Sequence, residues 1–407
     1  MSTPDSESHS LPTDGAARRL GSYRLLRVLG EGGMGIVYEA EQLEPVHRRV
    51  AVKMVRAGMD TGEVLARFEA ERQALAVMDH PGIARVLDAG AAETGRPYFV
   101  MELVKGVALT EYCDANRLTV SERVRLFIQI CQAVQHAHQK GVIHRDLKPS
   151  NILITEQDGP LPKIIDFGIA KALSQRLTER TLVTAFGQSM GTPAYMSPEQ
   201  AEASGLDIDT RTDIYSLGVM LYELLVGRLP ADPAELGLPS FILALTGRGN
   251  DPPRPSTRLT QVKQAGAAIA SLRRADVQHL VRQLRGDLDW IVMKAIEKDR
   301  SRRYDTANAL AMDLQRFLSD EPVTARPPSP GYRLGKLVRR NRVAAIALGL
   351  VAVSVVAGGS LAVLGFVRAR RAERQARHEA QVAAKTSDFL VQLFAVSNPN
   401  VRDRGSI

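Results

Sequence analysis

The chain has 407 residues, 24% of them charged, and a formal net charge of +8. It is too long for one ordinary core, and a soluble share of about 300 residues suggests one large two-lobed domain. The basic excess sits in two short stretches, 331–342 and 368–377, which hold ten Arg or Lys and one acid, Glu373, so the rest is close to neutral. That distribution argues against a nucleic-acid-binding face and matches anionic lipid head groups instead. Cys113 and Cys131, the two cysteines, lack any metal-ligand spacing, which points to a reducing cytoplasm and no structural zinc.

Residues 1–22 are rich in Ser, Pro, Asp and Gly without an apolar core, and read as a disordered leader that is neither signal peptide nor anchor. From Tyr23 to Val104 the pattern is strand-like with one helix: apolar alternation around a run of glycines, a strand Arg49–Val55, a helix Gly62–Met78 and a strand Tyr98–Leu103. The glycine run Gly30-Glu31-Gly32-Gly33-Met34-Gly35-Ile36-Val37 reads G-x-G-x-x-G-x-V, where bare backbone amides can approach phosphate oxygens. Alone it is weak, because a plain loop or a dinucleotide fold carries such glycines too, but no helix follows it as the dinucleotide motif requires. Sixteen residues after Val37, Val50-Ala51-Val52-Lys53 sets an ammonium near the end of an apolar strand, where it reads as the group that holds the α and β phosphates. Such a lysine needs a carboxylate. Glu71 is preferred over its rival Glu69, because Leu75 at i+4 continues the inward apolar face.

Beyond Leu109 helical periods dominate. Thr119 and Glu122 form a capping-box pair, Phe127, Ile130, Cys131 and Val134 an apolar stripe, and Gly141 a left-handed helix end. The strongest signal is His144-Arg145-Asp146-Leu147-Lys148-Pro149-Ser150-Asn151, followed by Asp166-Phe167-Gly168 fifteen residues after Asn151. Asp146 can take the proton of an incoming hydroxyl, Asn151 and Asp166 offer hard oxygen ligands for magnesium, and Lys148 opposes the charge that develops on a transferred phosphoryl group. Residues 228–286, rich in Pro, Gly and Arg, read as a long surface excursion with one short helix inside. Residues 321–342 form a proline-rich and then basic linker. Val343 to Val367 is 25 residues without a charge, which as a helix rises roughly 37 Å against a hydrocarbon core of about 30 Å. A buried core helix is the competing reading, but the flanks are arginines that can snorkel to an interface. A short helical segment, 368–407, follows.

On these motifs the stretch 23–320 resembles the protein kinase catalytic domain, and in particular the bacterial eukaryotic-like serine/threonine kinases. The resemblance implies an α+β bilobal fold, with a small β-rich N-lobe (23–104), a larger helical C-lobe (105–320), and the transmembrane helix in addition. It implies transfer of the ATP γ-phosphoryl to Ser or Thr of proteins, with magnesium or, as a substitute, manganese. Asp146, Lys148, Lys53 and Glu71 take the catalytic positions and Asn151 and Asp166 those of the metal ligands. The nucleotide site falls on Leu29 to Val37, Ala51, Lys53, the gatekeeper Met101, and the hinge residues Glu102 and Val104. Ser197-Pro198-Glu199 stands where the family has A-P-E, with Arg303 as partner of Glu199, and Asp213 to Gly218 resembles the family's buried helix. Lys148 and Gly191-Thr192-Pro193-Ala194 are the serine/threonine form of the pattern. A membrane-tethered ATP-binding scaffold and a small-molecule kinase are the competing functions.

Arg145 before Asp146 implies that a phosphate on the activation segment orders that segment. Autophosphorylation is expected at Thr184 first and Thr181 second, with Thr192 bonded to Asp146 and Lys148; a polar loop residue is the ordinary alternative for each. The expected partners are protein substrates, a second copy of the chain and membrane lipid, and no nucleic acid. Five basic residues on either side of the apolar span leave orientation open by charge. The need for ATP places residues 1–342 in the bacterial cytoplasm as part of a single-pass inner-membrane protein, with a hairpin at Gly358-Gly359 as the alternative. The segment around Phe389 resembles the junction that leads into tetratricopeptide repeats in bacterial kinases of similar layout, and the sequence stops before any repeat begins.

Overall fold

The computed structural model describes residues 19–32, 35–55, 78–156, 159–167, 193–202, 208–247, 251–262 and 265–397. It separates into two compact units, Met1–Arg333 and Leu334–Ile407.

The first unit opens with an antiparallel sheet in the order β1-β2-β3-β4-β6-β5, built from β1 (Arg19–Leu20), β2 (Tyr23–Gly32), β3 (Gly35–Gln42), β4 (Arg48–Val55), β5 (Val86–Ala91) and β6 (Pro97–Glu102). Alternation along β4 sorts its side chains between two faces. Val50 and Val52 join Tyr23, Ala40 and Val100 in a small core on one side, while Ala51 belongs to the main core on the other. Lys53, two residues on, therefore shares the face of Ala51. Arg19 and Leu20 fall inside the expected leader, yet they pair with Arg24 and Tyr23, and Leu20 is buried. The expected helix Gly62–Met78, but for Met78 itself, lies outside the described residues.

The helical part begins with α1 (Leu109–Ala115) and α2 (Val120–Gln139). At Thr119 the hydroxyl accepts the Glu122 N–H while the Glu122 carboxylate accepts the Thr119 N–H, the reciprocal box expected from the sequence. Gly141 closes the helix end at φ +75°. A second small sheet, β7 (Val107–Ala108), β8 (Ile152–Glu156) and β9 (Pro160–Ile164), follows in that order. A short helix α3 (Pro198–Ala201) precedes α4 (Arg211–Val226), whose side chains are buried nearly all round. Gly227 ends α4 at φ +68°.

The segment 228–286 differs from its expected form. Its described residues form five helices, α5 (Pro233–Leu236), α6 (Leu238–Leu245), α7 (Pro255–Gln261), α8 (Ala265–Ser271) and α9 (Val277–Leu284), and Phe241, Leu245, Leu259, Ile269, Leu280 and Leu284 join the main core. Its arginines are part of the reason. Arg273, 2% exposed, donates to the carbonyls of Leu225 at 2.7 Å and Leu224 at 2.8 Å, and so satisfies the last turn of α4. Arg123 on α2, equally buried, donates to Leu272 O at 3.0 Å and to Cys113 O at 2.9 Å. Burial, with Arg123 beside it, brings Arg273 down to about 10. A composition that looks solvated is instead knitted in by guanidinium-to-carbonyl bonds.

The lobe continues through α10 (Asp287–Ala295) and α11 (Ala307–Leu318). The start of the expected linker is also packed. The fully buried Asp313 accepts the N–H and hydroxyl of Thr324, both at 2.8 Å, and the N–H of Ala325 at 2.8 Å, and Val323 is 4% exposed. Helix α12 (Pro330–Arg340) follows. In the second unit the helix α13 (Arg342–Ser397) runs 56 residues, with its side chains from Ile346 to Phe394 exposed. The apolar stretch and the basic segment after it are thus one helix, unbroken at Gly358-Gly359, so no hairpin forms there. It is the one helix among the described residues long and apolar enough to cross a membrane.

Candidate active site

The site is assembled around an anchor deep in the helical lobe. Asp213, fully buried in the first turn of α4, accepts the backbone N–H of His144 and of Arg145, each at 2.8 Å, and the Nε2–H of His138 at 2.8 Å. Burial opposes the charge of Asp213, yet the bonds from His138 and the backbone prevail and hold the carboxyl below the usual range. The loop from Val142 to Asn151 is thereby fixed at its first turn. Arg145 sits at φ +65°, a conformation a bulky residue rarely adopts and which its bonded backbone must sustain.

Asp146 follows at once. Its Oδ2 accepts Lys148 Nζ at 2.9 Å, and Asn151 Nδ2 lies 3.4 Å from that oxygen and donates to the Asp146 carbonyl at 2.8 Å. With its amide nitrogen spent on Asp146, Asn151 turns its amide oxygen the other way, as a metal ligand needs. The backbone joins this loop to the next motif. Ile165 donates its N–H to Asn151 O at 2.9 Å, His144 Nε2 meets Ile165 O at 3.2 Å, and the His144 ring lies 4.7 Å from that of Phe167. Burial of His144 lowers its pKa and keeps the ring neutral, so Nε2–H donates to the carbonyl.

Asp166, between Ile165 and Phe167, stands at φ +60°. Its carboxylate forms an ion pair with Lys53, whose side chain is buried in the sheet lobe while that of Asp166 is partly open. The pair joins residues 113 apart in sequence and brings both lobes to one point. Lys53 lies opposite Val37 on β3 and Phe99 on β6, and Ala51 opposite Met101, so Val37, Ala51 and Met101 form an apolar wall beside the lysine. Glu102 ends β6; its carboxylate pairs with Lys163 on β9, a residue the motif reading passed over.

The glycine hairpin pairs Gly30 with Val37, Glu31 with Ile36 and Gly32 with Gly35. At Gly35, with φ +147°, a Cβ would stand 2.0 Å from Met54 O, so no other residue fits. Gly30 and Gly32 differ: among the described residues nothing lies within 4 Å of a Cβ built there. Protein packing does not require those two glycines, whereas a phosphate chain resting on the hairpin would. Leu29, 40% exposed, sits at the hairpin's base. With the oxygens of Asn151 and Asp166, the apolar wall and Lys53, the residues present fit a nucleotide with a divalent cation.

Several expected site residues lie outside the described ones: Gly33, Met34, Glu71 and its rival Glu69, and Thr181, Thr184 and Thr192. Farther along, Arg303 clasps Glu199 with Nη1 and Nη2 at 2.7 and 2.8 Å. The positioning residues Asp213, His138 and Lys163 were missed as such; an acid and a histidine on otherwise apolar helices were the signal for the first two. Burial pushes the Cys113 thiol up to about 11 and raises Cys131 as well, so neither is a nucleophile.

The protein kinase domain family matches residues 23–241. Among relatives, the serine/threonine-protein kinase Pkn1 of Myxococcus xanthus is 36% identical over 317 residues, covering 77% of this chain and 41% of the relative. PknB of Mycobacterium tuberculosis is 37% identical over 308 residues, covering 74% of this chain and 44% of the relative. The chain thus spans less than half the length of these relatives. The crystal structure of the Mycobacterium tuberculosis PknI kinase domain superposes with a TM-score of 0.52 at 23% identity, covering 75% of this chain and 100% of that one, which shows the shared fold. By its motifs, its two-lobed fold and these matches, the chain belongs to the protein kinase family, among the bacterial eukaryotic-like serine/threonine kinases.

Proposed function

We propose that this protein transfers the γ-phosphoryl group of ATP to serine or threonine hydroxyls of proteins, itself included, while anchored in the bacterial inner membrane by α13. The observation that carries the reading is the placement of Asp146 between Lys148 and Asn151, on a loop bonded through Ile165 to the Lys53–Asp166 pair. Family membership implies ATP and a divalent cation. Magnesium bound by Asn151 Oδ1 and Asp166 would supply charge neutralisation for the phosphates.

In the reaction the substrate hydroxyl oxygen forms a bond to the γ-phosphorus as the bond to the β–γ bridging oxygen breaks, leaving ADP. Asp146 accepts the hydroxyl proton and orients the oxygen. Lys148, held at the same carboxylate, offsets the negative charge on the transferred group. Lys53 meets the α and β phosphates, and Glu71 is the carboxylate proposed to steady it. Val37, Ala51 and Met101 pack on adenine, and the backbone of Glu102 and Val104 reads its edge. In the activation segment, Thr184 and Thr181 are the proposed autophosphorylation sites gathered by Arg145, and Thr192 is proposed to bond Asp146 and Lys148.

Because ATP is cytoplasmic, residues 1–342 are assigned to that side, Val343 to Val367 to the bilayer and the remainder to the far side. Incorporation of labelled phosphate into a generic basic protein tests the activity, and loss of incorporation in Asp146→Asn is the expected result. Equal labelling by that variant would refute it. Protease protection of a C-terminal tag in spheroplasts tests the orientation.

A further inference from the structure

Helix α12 presents two unlike faces. Tyr332 in its first turn donates to Asp287 at 3.0 Å, accepts the N–H of Val323 at 3.0 Å, and lies under the Arg326 guanidinium at 4.2 Å. Advancing about 100° per residue from Tyr332, Leu334, Leu337 and Val338 fall together on the opposite side of the same helix. All three are open, 61%, 51% and 45% exposed. An apolar ridge at i, i+3 and i+4 is the pattern of a helix that buries that side.

What could cover it is constrained by charge and by chain continuity. Residues 331–342 carry four arginines, Arg333, Arg339, Arg340 and Arg342, and no acid; Lys336 is buried, and the uncharged stretch begins at Val343. If that stretch spans the bilayer, the water–lipid boundary lies within a turn or two of Val338. A short helix with an apolar ridge, a cationic flank and a position at that boundary suits a leaflet rich in anionic lipid, which offers acyl chain to the ridge and head-group charge to the arginines. The geometry points to α12 as an interfacial helix that lies in the plane of an anionic leaflet with Leu334, Leu337 and Val338 inserted.

This inference rests on the membrane reading above, and the test separates the two. The full-length protein is placed in lipid nanodiscs of neutral phosphatidylcholine, with or without anionic phosphatidylglycerol. Leu337→Cys is labelled with bimane, the native Cys113 and Cys131 being buried; Val355→Cys is labelled in a parallel sample. The expected result is quenching at position 337 by shallow doxyl lipids, rising about twofold or more with anionic lipid, and quenching at 355 by deep ones. If 355 is quenched while 337 reports water in both compositions, α12 is not interfacial and the inference falls, although the span stands. A blue-shifted label at 337 that no doxyl lipid quenches would mean that protein covers the ridge, and would overturn it equally. Failure of quenching at 355 would remove the membrane reading itself and the inference with it.

Discussion

The Asp213 carboxylate receives the backbone N–H of Arg145 at 2.8 Å, and through it the conformation of the residue before Asp146 is set by a side chain 68 positions away. Asp146, the carboxylate proposed to take the hydroxyl proton, therefore follows a backbone turn fixed by a buried charge. Asp213→Asn keeps the shape and removes the charge, weakening bonds to an ionised acceptor that are worth about 1.5–3 kcal/mol each. Steady-state kinetics should show kcat reduced by about 10- to 100-fold with KM for ATP little changed. A variant that loses ATP affinity and retains kcat would contradict the positioning role.

Stability should fall on acidification from neutral pH, and His144 sets where the fall begins. Its folded pKa lies below the ordinary 6.5 because of burial, so below pH 6.5 the unfolded chain binds a proton that the native ring refuses. That loss continues down to the folded pKa of His144. Asp213 adds a second, more acidic step: its carboxyl is held below 3.8, so its contribution is present above that value and disappears as pH falls through the lower folded pKa. Urea unfolding across this range measures the slope, and His144→Gln should flatten its upper part.

Removing one member of the Glu199–Arg303 pair should be far more damaging than its distance from the catalytic loop suggests. The Arg303 side chain is fully enclosed, and Arg303→Met would leave the Glu199 carboxylate accepting the Thr212 hydroxyl at 2.9 Å without the guanidinium that offsets its charge. The cost expected for breaking such a buried pair is about 3–5 kcal/mol, read as a drop in the urea midpoint. A change under about 1 kcal/mol would mean that the pair behaves as a surface one.

Lys163 should act on nucleotide binding alone. By pairing with Glu102 it ties β9 to the end of β6, where the hinge backbone begins. Lys163→Met is expected to raise KM for ATP severalfold without altering kcat, and Lys163→Arg to restore it. An equal effect on kcat would show that the residue serves the transfer step.

The letters of the site were legible because each carries its chemistry in a short contiguous motif: the glycine hairpin, Lys53 on an alternating strand, the run His144 to Asn151, and Asp166-Phe167. Their convergence is a long-range fact that the motifs imply only through family resemblance. What stayed hidden was the polar framework. Arg123, Arg273 and Asp313 look like solvated residues by type, yet each is buried because backbone groups from distant segments satisfy it. For the same reason 228–286 passed for a surface excursion: its buried apolar residues are spaced over short helices whose periods never run long enough to stand out. The packed start of the linker is not legible because prolines forbid a continuing helix without forbidding an extended strap, and the acid that holds that strap, Asp313, is on α11.

The most direct test pairs two readouts on wild type and Asp146→Asn in the presence of magnesium: nucleotide affinity by calorimetry, and transfer of labelled phosphate from ATP to protein. The account predicts that both proteins bind ATP within a few-fold of one another, and that transfer falls by about 100-fold or more in the variant. Undiminished transfer by the variant, or a wild type that binds no nucleotide, would contradict it.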